Sequence, residues 1–106
     1  MMPRLTMQQG DVFWAEAADK RRPVLLVSRS TAIPVLNRLT VAPITTSIRG
    51  IPQEIDVPDS VGLRIACVAC MDNLFPIPKY MLKRRVGTIP DARHEICRAL
   101  EALADC

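Results

Sequence analysis

The chain has 106 residues, of which 49% are hydrophobic and 24% charged, and its formal net charge is +3. This composition excludes disorder, and the length predicts one domain, residues 1–106, with a modest core of its own. The small basic excess tolerates an anionic partner without requiring one, and no apolar run approaches the roughly 20 residues of a membrane-spanning helix.

Taken in chain order, Gly10-Asp11 opens DVFWAEA, which alternates as a strand, with Val12 and Trp14 on one face and Phe13 and Ala15 on the other. The charged connection Asp19-Lys20-Arg21-Arg22 leads into PVLLVSR, a second strand apolar on both faces. In STAIPVLNR, Pro34 and Asn37 predict a loop or an interrupted helical turn. LTVAPITTSI reads as a third strand in which Pro43 suggests an edge or a bulge. Ile51 to Val57 predicts a fourth strand, Pro58 to Gly62 a turn, and Leu63 to Met71 a fifth strand.

Beyond it, Asp72-Asn73, Pro76 and Pro78 predict an irregular segment, then a helical turn over Lys79 to Leu82 and a short strand over Arg85 to Thr88. After Pro90, the residues Ala92, Ile96, Ala99, Leu100 and Leu103 fall on one helix face. Short strands, proline-rich turns and one terminal helix predict a mostly β (α+β) domain, a small antiparallel barrel closed by a C-terminal helix.

Cys67 and Cys70 form a CxxC, but residues three apart on a strand face opposite ways and no Gly or Pro turns the chain between them. They are expected to be small buried hydrophobes rather than metal ligands or a redox pair. The segment MMPRLTMQQG lacks the apolar region of a signal peptide, so the expected location is cytoplasmic, with reduced thiols. Among catalytic signatures, HExxH, the phosphate-binding loop and the nucleophile elbow are missing. His94 is the one histidine, expected on the outer face of the helix, so a two-histidine ribonuclease mechanism has no second partner.

The remaining polar signals cluster at strand ends. Arg22 precedes the second strand, held extended by Pro23. Thr45-Thr46-Ser47 end the third strand and Asp72-Asn73 the fifth. Gathered on one rim, an arginine fork, a row of hydroxyls and a carboxylate suit attack by an RNA 2′-hydroxyl on its neighbouring phosphate. The same residues also read as a strand-edge charge, a strand cap and a turn former.

The ordered segments Gly10-Asp11-Val12-Phe13-Trp14, Arg22-Pro23-Val24-Leu25-Leu26-Val27 and Val41-Ala42-Pro43-Ile44-Thr45-Thr46 resemble the MazF/PemK/Kid family of toxin endoribonucleases. Cys70-Met71-Asp72-Asn73 and Arg85-Val86-Gly87-Thr88-Ile89 continue the resemblance, which runs from about Gly10 to Leu103. It implies an SH3-like barrel, a homodimer, and metal- and cofactor-independent, sequence-specific cleavage of single-stranded mRNA, tRNA or rRNA to 2′,3′-cyclic phosphate and 5′-hydroxyl ends. It also implies a cognate antitoxin protein that covers the RNA groove with an extended, acidic segment. By resemblance Arg22, Thr45 and Asp72 are the catalytic residues, the first two at the scissile phosphate and the third in acid/base chemistry. Lys20, Arg21, Thr46, Ser47, Arg49 and Asn73 are the expected RNA-binding residues.

Two departures stand out. The loop between the first two strands is short and lacks the family's Gly-Ser/His-Glu-Gln run, so the general base stays open. Cys70 occupies a position where some members carry an arginine. Two other classes fit the same barrel: a CcdB-like inhibitor of DNA gyrase, and an RNA-binding barrel without cleavage.

Overall fold

The computed structural model describes residues 7–17 and 20–104. Among these residues seven strands form one curled antiparallel sheet: β1 Asp11–Ala17, β2 Lys20–Leu26, β3 Arg38–Thr45, β4 Glu54–Val57, β5 Cys67–Cys70, β6 Phe75–Pro78 and β7 Leu82–Thr88. The strand order is β4-β5-β3-β2-β1-β7, with β6 paired separately to β3. One helix, α1, Ala92–Leu103, follows, so the expected mostly β architecture with a terminal helix holds.

Period-two alternation builds the core on both faces of the curl. Val12, Leu25, Ala42 and Ile44 join Ile55, Ile96 and Ala99 in a cluster that includes the helix. Phe13, Val24, Leu26, Leu39 and Val41 pack with Ile77 and Leu82 in the other. At the start of β1, Gly10 takes φ +95°, and a β-carbon there would collide with Ala92, so the strand begins against the helix only with glycine. Asp11 is fully buried beside it, accepting hydrogen bonds from the Gln8 N–H at 3.0 Å and the Thr88 hydroxyl at 2.7 Å.

Several expectations need adjustment. The fourth strand begins at Glu54 rather than Ile51, and the fifth spans only Cys67–Cys70. The segment expected to be irregular contains β6, while the last strand starts at Leu82. Pro43 lies in an interior strand, not on an edge. It stands where the β3 partner changes from β6, paired over Arg38 to Val41, to β5, paired over Ile44 and Thr45. Its missing N–H thus falls at a break in the ladder.

Cys67 and Cys70 are free and buried, as expected of small hydrophobes, and His94 is exposed. Only part of the predicted apolar face of α1 is covered: Ile96 and Ala99 are buried, whereas Leu100 and Leu103 are 38% and 41% exposed. Among the described residues no helix is long and apolar enough to cross a membrane. Asp19, at the start of the charged connection between the first two strands, lies outside the described residues.

Candidate functional site

Strand register brings the polar strand ends together. In the β2–β3 ladder Leu26 faces Val41, Leu25 faces Ala42 and Val24 faces Pro43. The ladder ends there, with Arg22 two positions before Val24 and Thr45 two positions after Pro43. Both residues border one groove of about 740 Å³, together with Thr46, Ser47, Arg49 and Asn73. Trp14, Pro23 and the two buried cysteines of β5 border it too, so the groove joins apolar surface to donors.

Arg22 is exposed and has no ion-pair partner among the described residues. An exposed guanidinium is a planar fork of donors suited to an anion. Thr45 is half-buried, and its Oγ1 accepts the Ser47 N–H at 3.1 Å. That hydroxyl-capped turn ends β3 locally. Because the bond uses Oγ1 as acceptor, the hydroxyl hydrogen stays available for a ligand oxygen.

Arg49 is held from both ends. Its Nε donates to Glu54 Oε2 at 3.1 Å, and its Nη1 and Nη2 donate to the two oxygens of Asp72 at 3.0 and 2.8 Å. Glu54 is 6% exposed and also receives the backbone N–H groups of Arg49, Gly50 and Ile51. Gly50, at φ +73°, supplies the left-handed backbone that lets these successive N–H groups converge on one carboxylate. Asp72 belongs to a single 3-10 turn, Met71–Asn73, directly after β5. The Met71 N–H donates to Gln53 O at 3.0 Å, which ties this turn to the loop carrying Arg49.

These contacts set the charges. The Arg49 guanidinium holds the Asp72 carboxyl below the usual aspartate range. Burial pushes Glu54 upward, but the N–H groups of Arg49, Gly50 and Ile51 outweigh it and leave Glu54 lowered as well. Arg49 is held above the ordinary arginine value, first by Asp72 and then by Glu54. Burial raises both β5 thiols, and the nearby Arg49 only partly offsets this at Cys70. Neither cysteine is a ready nucleophile. Among the described residues no group of three or more His, Cys, Asp or Glu could hold a metal ion.

The expected residues thus divide. Arg22, Thr45, Thr46, Ser47, Arg49 and Asn73 share the groove. Asp72 adjoins it through Arg49. Lys20 is exposed at the start of β2, and Arg21 stacks over the Trp14 ring, 5.6 Å from its centroid; neither borders the groove.

The family of PemK-like, MazF-like toxins of type II toxin–antitoxin systems matches this chain over residues 8–104. The chain belongs to this family. Its relatives include the "Probable endoribonuclease MazF5" of Mycobacterium tuberculosis, 40% identical over 101 residues that cover 92% of this chain and 93% of the relative. Endoribonuclease MazF3 of the same organism is 44% identical over 69 residues, 65% of this chain and 67% of the relative. Among solved structures, the Mycobacterium tuberculosis toxin MazF-mt6 superposes with a TM-score of 0.75 at 36% identity, covering 86% of this chain and 92% of that one.

Sequence reasoning passed over two members of the site. Trp14 is not among the expected site residues, although it faces Pro23 across β1 and β2 and borders the groove. Glu54 was not singled out at all. Its signal was an acidic residue at the start of an apolar strand, shortly after an Arg-Gly pair.

Proposed function

We propose that the protein is the toxin of a type II toxin–antitoxin module and acts as a sequence-specific endoribonuclease on single-stranded RNA. The observation that carries this reading is the shared groove bordered by Arg22, which has no ion-pair partner among the described residues, and by Thr45. In the proposed reaction a 2′-oxygen loses its proton and attacks the adjoining phosphorus. The bond to the 5′-oxygen then breaks, and that oxygen takes up a proton. Arg22 offsets the negative charge growing on the phosphoryl oxygens, and the Thr45 hydroxyl donates to one of them. Asp72, kept ionised by Arg49, is the proposed proton acceptor.

Thr46, Ser47, Asn73 and Arg49 hold the RNA within the groove, and Lys20 and Arg21 bind flanking phosphates, which position a strand without reading it. The products are a 2′,3′-cyclic phosphate and a 5′-hydroxyl. A cognate antitoxin covers this groove with an extended acidic segment, and the toxin acts in the cytoplasm as a homodimer. The family and its endoribonuclease relatives favour this reading over a CcdB-like gyrase inhibitor or a barrel that binds RNA without cutting.

The test is incubation with labelled RNA in EDTA, beside a gyrase supercoiling assay. Cleavage with cyclic-phosphate ends and unaltered supercoiling is expected. RNA left intact across diverse sequences, or cleavage lost on chelation, contradicts the proposal.

A further inference from the structure

We infer that Glu54 is a positioning residue of the cleavage site, acting through Arg49 on Asp72. The inference deepens the ribonuclease reading and rests on it for the kinetic part of its test.

The geometry is a relay from the core to the groove. Glu54 opens β4 with its side chain 3% exposed, whereas the Asp72 side chain is 28% exposed and lies on a short turn. A buried carboxylate persists only where donors surround it. Here three successive backbone N–H groups and the Arg49 Nε–H do so. The same contacts fix the path of the loop and the first part of the arginine side chain. The far end of that side chain then grips both oxygens of Asp72.

A guanidinium has five N–H donors. One goes to Glu54 and two to Asp72, so two remain, one on each Nη. They belong to a side chain that borders the groove and is 44% exposed. A groove arginine fixed before RNA arrives loses less freedom on binding than a mobile one. Tethering by Glu54 thereby prepares two donors and orients the neighbouring carboxylate. Neither effect requires Glu54 to touch RNA.

The experiment combines a double-mutant cycle with side-chain NMR on the full chain. Single-turnover cleavage is measured for Glu54→Gln, Arg49→Ala and the double variant. Glu54→Gln is expected to slow cleavage about tenfold and Arg49→Ala about 100-fold, with the double variant no slower than Arg49→Ala alone. Losses that multiply in the double variant, or wild-type cleavage by Glu54→Gln, overturn the inference. The second arm needs only the wild-type fold. The Arg49 Nε–H resonance should exchange slowly with solvent, and a rapidly exchanging, averaged signal overturns the inference even if Glu54→Gln does not fold. Absence of cleavage by the wild-type protein refutes the ribonuclease reading alone, whereas a mobile Arg49 refutes this inference alone.

Discussion

Arg22 and Thr45 border one groove from neighbouring strands: the β2–β3 ladder ends with Val24 against Pro43, and the arginine and the threonine each lie two positions beyond that end. A one-residue slip would turn one of the two side chains to the other face of the sheet. The core residues Val24, Leu25, Ala42 and Val41, all nearly or fully buried, hold that register. Packing and placement of the site are thus one property.

The Thr45 hydroxyl has two tasks, accepting the Ser47 N–H and donating to the substrate. Thr45→Val keeps the shape and removes both, and should slow cleavage about tenfold or more. Thr45→Ser should keep most of the rate. Single-turnover assays with matched melting curves separate these effects. Equal rates for the valine and serine variants would remove Thr45 from the chemistry.

Acidification should act on activity and stability together. Asp72 and Glu54 are both lowered relative to ordinary carboxyls, so their contribution to stability is complete above the unfolded-state values of about 4. It is lost as pH falls through the folded-state values. If Asp72 accepts the proton, the acid limb of the cleavage profile lies below the ordinary aspartate range. Arg49→Ala should then move that limb to higher pH, because the lowering comes chiefly from Arg49. An unmoved limb excludes Asp72 as the base.

Arg21 lies over Trp14, which borders the groove, yet does not border it itself. As a holder of flanking phosphate it should contribute to affinity and salt dependence rather than to the chemical step. Arg21→Ala is expected to reduce the slope of log affinity against log salt by about 0.7, one phosphate on single-stranded RNA. Cleavage of saturating RNA should be unchanged. Binding titrations at several salt concentrations measure this.

Leu100 and Leu103 on α1 are exposed apolar residues, and the proposed homodimer is expected to cover them. Analytical ultracentrifugation should find a dimer, and replacing both leucines by glutamate should shift it to monomer. A monomer at all concentrations in the wild type contradicts the proposed assembly.

Much of the fold was legible because the strands alternate and the helix has its own period. β6 was not, since Pro76 and Pro78 argue against a strand. Both prolines are tolerated because they are two apart, so their nitrogens point the same way, while the Lys79 N–H bonds back to Asn37 O at 3.1 Å. Within the site, Arg22 and Thr45 were readable as strand-end chemistry. Glu54 was not, because alternation in EIDV pairs it with the exposed Asp56, whereas a local turn of N–H groups draws it inward. The loss of charge expected at Cys70 also looks different in space. Arg49 comes from another loop, and its guanidinium engages Asp72 beside that cysteine. A contact between residues 23 positions apart, as Arg49 and Asp72 are, is invisible to local pattern.

In the proposed reaction the Arg22 guanidinium acts on the scissile phosphodiester itself. The most direct test compares wild type and Arg22→Ala on an RNA cut by the wild type, in EDTA, with product ends mapped. Expected are cyclic-phosphate ends from the wild type and a loss of about 10²–10³-fold in the variant, with the melting temperature unchanged because Arg22 is exposed. Full activity in a folded Arg22→Ala protein would contradict this role.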